Sequence, residues 1–332
     1  MDDHPVKRGP SGPLGILLSD TVNEHAGARL DLIAGTADIA LRRYTPRQAT
    51  DLTKIHAAFF SRDLYEGSSL RKPGPLSDAF FSIVDQAPNL QWLHVCTSGQ
   101  DLPQYARSLE RGLRITTSTG TTAIPIAQTV LAAILAQSRG FDRWLPAQAR
   151  KQWSPMTGDD KPKEISDHHV VVVGAGAIGG EIGRLLKAVG FRTTAVRRAA
   201  TAAPHFDETI TPSELDRVLP ECDWLVLALP LTPQTHGLID SRRLDLLRPH
   251  AGLVNVARGE LVDEAALADA LRSGRLRRAY LDTFIEEPLP ANSPLWELPN
   301  VWISPHNSAA AQGHDQRVVE SFMRAFQAWL AI

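Results

Sequence analysis

The 332 residues predict an α/β protein built on doubly wound parallel sheets. Three observations predict it. Short apolar runs recur along the chain, each followed by a longer stretch with helical spacing, the rhythm of strands joined by crossover helices. One run, Val170-Val171-Val172-Val173, is entirely β-branched, as a strand buried on both faces requires. That run enters Gly174-Ala175-Gly176-Ala177-Ile178-Gly179 and then an amphipathic helix. At roughly 100–200 residues per domain, the length suggests two domains.

The elements follow in order. Met1 to Leu14 is polar, rich in proline and glycine, and reads as a disordered lead-in without the apolar core of a signal peptide. Gly15 to Leu18, Ala57 to Phe60 and Leu90 to Val95 are expected strands. Arg71-Lys72-Pro73-Gly74-Pro75 must be a loop. A helix around Ile126 to Gln137 is apolar on most sides, and Trp153 to Lys163 is again a loop. After the glycine loop, Ile178, Ile182, Leu185, Leu186 and Val189 form one helical stripe that Gly190 is placed to stop. A strand from Arg192 to Val196 ends in Arg197-Arg198. Thr211-Pro212-Ser213-Glu214 has the residues of a capping box with proline in the first turn. Trp224 to Leu229, Leu253 to Val256, Ala279 to Leu281 and Val301 to Ile303 continue the strands. Val318, Val319, Phe322, Phe326, Trp329 and Leu330 give the last helix a core-facing stripe.

Composition narrows the function. With 35 Lys+Arg against 37 Asp+Glu, no excess charge points to nucleic acid or a membrane surface. No apolar run approaches the ~18–20 residues that span a bilayer, so a cytoplasmic protein is expected. Cys96 and Cys222 make neither a disulfide framework nor a metal cluster, and no metal site is expected. Buried structural cysteine is the commoner case, although Cys96 closes a strand where function can reside.

The glycine loop has a dinucleotide reading with a job for each glycine. Gly174 makes the tight turn, Gly176 lets the backbone approach a pyrophosphate, and Gly179 lets helix and strand pack closely. The helix N-terminus adds free N–H groups and a favourable dipole. NAD-binding folds usually carry an acidic residue about 20 positions on. Here Arg197 and Arg198 stand instead, which suits a ribose 2′-phosphate and favours NADP, with NAD as the alternative.

Three downstream segments carry chemistry: residues 253–259 with Arg258, residues 281–289 with Glu287, and Ile303-Ser304-Pro305-His306-Asn307. An arginine can grip a carboxylate with two parallel bonds. A histidine can move the proton that accompanies hydride transfer, and an adjacent carboxylate favours its charged form. Taken singly, each of the three also has a structural explanation as ion pair, loop charge or cap.

Together these segments resemble the D-isomer-specific 2-hydroxyacid dehydrogenases, from about Asn89 to about Gln312. The likeness is dense in Ala228-Leu229-Pro230-Leu231-Thr232-Pro233-Gln234-Thr235, Asn255 to Gly259, Asp282 to Leu289, and Ser293-Pro294-Leu295-Trp296 through His306. It implies Arg258, Glu287 and His306 as the catalytic residues. It implies cofactor contacts at Gly174, Gly176, Ala177, Ile178, Gly179, Arg197, Arg198, Leu229, Pro230, Thr235 and Ala257, with Asp282 near the nicotinamide amide. The carboxylate-binding loop falls on Ser98-Gly99-Gln100-Asp101, beside Arg258. The implied fold is a Rossmann cofactor domain, 119–304, inserted into a flavodoxin-like substrate domain, 1–118 plus 305–332, with the active site in the cleft. The implied activity is hydride exchange between a nicotinamide cofactor and a small 2-oxo or D-2-hydroxy acid, in a homodimer. Glyoxylate/hydroxypyruvate reductase-like members are the nearest in kind.

There are departures. Gln128 stands where many members have glutamate, and Asn307-Ser308 replaces a commoner small apolar pair. A formate- or phosphite-dehydrogenase-like enzyme is a second reading, which Glu287 opposes because formate-type relatives carry an amide there. A dinucleotide-sensing corepressor on the same fold is a third. Arg62, Arg71 and Lys72 are candidates to meet a second anionic group on the substrate, against their simpler reading as solvated loop charges.

Overall fold

The computed structural model describes residues 12–68, 73–100, 102–199 and 201–331. Arg71, Lys72, Asp101 and most of the expected lead-in lie outside the described residues. The chain divides into two compact units, Met1–Thr121 with Ala311–Ile332, and Thr122–Ala310. His306 therefore belongs to the second unit.

The first unit holds β1 (Leu14–Leu17), β2 (Leu41–Tyr44), β3 (Ala57–Phe60), β4 (Trp92–Val95) and β5 (Arg114–Thr117). Their order is β2-β1-β3-β4-β5, parallel throughout, which is the flavodoxin-like winding. The chain returns at its end to finish this core: helix His314–Leu330 buries Phe322, Phe326 and Trp329. Trp92 stacks on Phe322 and Trp329 at ring separations of 5.8 and 5.1 Å, and Phe59 stacks on Phe322 at 4.1 Å.

The second unit holds β6 (His169–Val173), β7 (Arg192–Val196), β8 (Glu208–Ile210), β9 (Trp224–Leu227), β10 (Gly252–Asn255), β11 (Arg278–Leu281) and β12 (Val301–Ile303). Their order is β12-β11-β10-β9-β6-β7-β8, again all parallel. The winding reverses between β6 and β9, the topological switch point of a Rossmann sheet. The period-2 geometry of β6 splits its valines between two cores: Val171 and Val173 join one face, Val170 and Val172 the other.

The sequence argument needs adjusting at three places. The apolar helix, Ala123–Ser138, spends Ile126, Ala127, Val130, Ala133 and Ile134 on the core it shares with Ile182 and Leu186. Its apolar character is thus explained inside the unit. Ile124 at its start is exposed, and the segment that follows exposes Phe141, Trp144, Leu145 and Trp153. The Thr211–Glu214 capping box is present, but it opens only a 3-10 turn, Pro212–Glu214, and the short helix Leu215–Val218. Cys96 and Cys222 are both buried, and burial pushes both thiols up to about 12. Neither supplies a thiolate at neutral pH. No helix among the described residues is long and apolar enough to cross a membrane.

Candidate active site

In a parallel sheet every strand ends on the same edge, and ligands bind there. The second unit puts the sequence-predicted residues on that edge. Gly174 follows β6, Arg197 follows β7, Leu229 and Pro230 follow β9, Ala257 and Arg258 follow β10, Asp282 to Glu287 follow β11, and His306 follows β12. Ser98, Gly99 and Gln100 occupy the corresponding edge of the first unit after β4, with the Thr97 hydroxyl donating to the Gly99 carbonyl at 2.8 Å.

The glycine loop has the geometry a dinucleotide needs. Gly174 turns at φ 98°, and a Cβ there would strike Ala228 and Leu229. Gly179 packs so tightly on the Gly174 carbonyl that no side chain fits. Gly176, the N-cap of helix Ala177–Ala188, faces open space instead. The free amides of that helix end are thus reachable by a phosphate. Arg197 is half-buried and anchored by its N–H to the Ile210 carbonyl at 3.0 Å, and Arg198 is exposed. Among the described residues neither guanidinium meets a carboxylate. These residues fit NADP. Thr235 donates to the Pro230 carbonyl at 2.8 Å and closes the loop beyond β9.

Arg258 is set by the turn that follows β10. Asn255 clamps that turn from inside the strand, donating from Nδ2 to the Arg258 carbonyl at 2.8 Å and accepting from the Ala257 N–H at 3.1 Å. Gly259 then lies directly against the Phe284 and Ile285 backbone, where any Cβ would collide. This close approach brings the loop bearing Arg258 beside the loop bearing Glu287. Arg258 also donates to its neighbour's carbonyl, Nη1 to Ala257 at 2.6 Å.

Glu287 pairs with His306 at 2.8 Å between Oε2 and Nδ1, while Oε1 accepts the Phe284 N–H at 3.1 Å. Burial pushes the Glu287 carboxyl up, but the His306 bond and charge, the Phe284 amide and the Arg258 charge together hold it below its ordinary value. It is therefore a carboxylate at neutral pH. With Nδ1 bound to Glu287, Nε2 is the ring atom left to face a substrate.

His306 has a left-handed backbone, φ 51°, a conformation that costs a non-glycine residue on the order of 1–3 kcal/mol. Asp282 and the hydroxyl groups around it hold it there. Asp282, 2% exposed, accepts at Oδ1 from the Ser304 hydroxyl at 2.5 Å, the Asn307 N–H at 2.8 Å and the Ser308 N–H at 3.0 Å. Its Oδ2 accepts from the Ser308 hydroxyl, and its carbonyl accepts the His306 N–H at 2.9 Å. Tyr280 contacts Ser304 at 2.7 Å. Asp282, expected beside the nicotinamide amide, thus has both oxygens engaged by the loop that carries His306. The signal for this was present in the hydroxyls that flank the histidine, in Ser304-Pro305-His306-Asn307-Ser308.

Comparison with known proteins identifies the family. Residues 131–308 match the family model described as D-isomer specific 2-hydroxyacid dehydrogenase, NAD binding domain. The chain is 32% identical over 237 residues to glyoxylate/hydroxypyruvate reductase B of Pectobacterium atrosepticum, covering 70% of this chain and 73% of the relative. A D-isomer specific 2-hydroxyacid dehydrogenase from Xanthobacter autotrophicus Py2, solved with NADPH and MES, superposes with a TM-score of 0.71 at 26% identity over 96% of both chains. A probable 2-hydroxyacid dehydrogenase from Rhizobium etli CFN 42, solved with NADP, HEPES and L(+)-tartaric acid, gives 0.70 at 26% identity over 96% of this chain and 95% of that one. The chain belongs to the D-isomer-specific 2-hydroxyacid dehydrogenase family, oxidoreductases that pass hydride between a nicotinamide cofactor and 2-oxo or 2-hydroxy acids.

Proposed function

We propose that this chain is an NADPH-preferring reductase of a small 2-oxo acid, with glyoxylate and hydroxypyruvate as the first candidates. The observation that carries the reading is the Glu287–His306 pair at 2.8 Å on the strand edge that also bears Arg258. The bound cofactor supplies the hydride, which forms the new C–H bond at carbon 2 of the oxo acid. Arg258 holds the substrate carboxylate and polarises the adjoining carbonyl. His306, steadied by Glu287, gives the Nε2 proton to the developing alkoxide, so the carbonyl oxygen becomes a hydroxyl on carbon 2. Ser98, Gly99 and Gln100 are assigned to the substrate carboxylate by their place after β4. The pyrophosphate is assigned to Gly174, Gly176, Ala177, Ile178 and Gly179, and the 2′-phosphate to Arg197 and Arg198. Leu229, Pro230 and Thr235 flank the adenosine, and Ala257 and Asp282 lie toward the nicotinamide. A homodimer in the cytoplasm completes the reading, a compartment in which two unpaired thiols persist.

Steady-state reduction of a panel of 2-oxo acids with NADPH tests it. At least one acid should turn over, and His306→Ala should lower that rate by roughly 10²–10⁴ while cofactor binding persists. Binding of NADPH without turnover of any acid would overturn the enzyme reading and favour a dinucleotide-sensing protein.

A further inference from the structure

Three hydroxyl side chains with no assigned role, Tyr280, Ser304 and Ser308, cluster at Asp282, a buried carboxylate that touches the His306 loop. The direction of their hydrogen bonds follows from proton counting. Ser304 has one hydroxyl proton and gives it to Asp282 Oδ1 at 2.5 Å. Its oxygen can then only accept, so the Tyr280 phenol is the donor in their 2.7 Å contact. Burial pushes that phenol up to about 12, and the Asp282 charge acts the same way, so the proton stays on Tyr280 across the working range. On the other side Ser308 bonds twice to the same carboxylate, its N–H to Oδ1 at 3.0 Å and its hydroxyl to Oδ2. The Asn307 and Ser308 amides follow a left-handed residue and converge on one oxygen, which is an anion nest. Ser304, Asn307 and Ser308 thus all donate to the Asp282 carboxylate, and Tyr280 leads to it through Ser304.

We propose that Tyr280 and Ser308 are positioning residues of the reaction: acting through Asp282, they latch residues 304–308 so that His306 keeps its left-handed backbone and its contact with Glu287. The proposal rests on the reading of His306 as the proton donor. A carboxylate held by four side-chain and backbone bonds is a rigid hub, whereas one that loses the Ser308 hydroxyl keeps a buried oxygen without a donor. The loop then gains freedom to relax toward an ordinary backbone, and Nδ1 moves off Glu287. The phenol of Tyr280 acts one bond further out, by fixing which way the Ser304 proton points.

The test uses Ser308→Ala and Tyr280→Phe in the full chain, with NADPH and whichever 2-oxo acid the wild type reduces. Ser308→Ala should lower kcat roughly tenfold, the size expected for one lost bond to a charged group. The KM for NADPH should stay within about twofold, since the cofactor loop is untouched. Tyr280→Phe should lower kcat less, in the same pattern. Melting temperature and NADPH binding are followed alongside. If Ser308→Ala does not fold, Tyr280→Phe, which removes a single oxygen, still decides the question. Unchanged kcat would overturn the latch. So would a loss of rate that merely tracks the folded fraction. His306→Ala run in parallel separates the two ideas: near-wild-type turnover there sinks the proton-donor reading itself, whereas loss there with unaffected Ser308 and Tyr280 variants sinks the latch alone.

Discussion

Arg258 shows how much of a residue's role lies in shape and not in charge. Asn255 pins its carbonyl, Gly259 brings it against the next loop, and a planar fork is what the pinned backbone presents. A lysine would keep the charge and lose the paired bonds. Arg258→Lys should therefore lower kcat/KM for the oxo acid by about 10- to 150-fold, taking roughly 1.5–3 kcal/mol for one hydrogen bond to a charged group. Equal efficiency of the two proteins in steady-state kinetics would make Arg258 structural. Arg258, Glu287 and His306 were legible in the sequence because each ends or follows a recognisable apolar strand inside a dense motif. Tyr280 and Ser308 were not, because their meaning comes from pairs 24 and 26 residues apart. Only the parallel register of β11 on β12, Leu281 opposite Ile303, brings those residues into one cluster.

At the scale of elements, the strands that escaped the sequence argument share one property. β2, β5 and β8 all lie at sheet edges. An edge strand is covered less completely, so it needs no continuous apolar run, and Leu41-Arg42-Arg43-Tyr44 and Arg114-Ile115-Thr116-Thr117 have none. The central strands, with β6 fully buried, were plain for the opposite reason. The end of β7 carries the prediction of this scale. Arg197 is held there by its backbone bond to Ile210 at the end of β8, so the edge strand fixes the residue proposed to read the ribose. One charged contact to a 2′-phosphate implies about a 10- to 150-fold preference for NADPH, reduced by solvent and salt. The double variant Arg197→Asp with Arg198→Ala should erase or invert the ratio of kcat/KM with NADPH to that with NADH. A wild-type ratio at or below one would mean that neither arginine meets the cofactor.

For the whole molecule, four of the exposed large apolar side chains follow helix Ala123–Ser138. Phe141 and Trp144 stand 5.6 Å apart ring to ring, Leu145 follows, and Trp153 is 96% exposed. A segment of this kind is the candidate surface for the proposed homodimer. A dimer mass by light scattering at micromolar concentration is expected, and Trp144→Asp combined with Trp153→Ser should shift it toward the monomer. A monomeric wild type would reject the assembly. The discontinuity of the first unit has a different consequence, for the order of events at the ribosome. Residues 122–310 are contiguous and can close their cores as they emerge. The N-terminal sheet emerges first yet finishes last, since Phe322, Phe326 and Trp329 are made after everything else it packs against. Until then the rings of Phe59 and Trp92 lack the stacked partners that close this core.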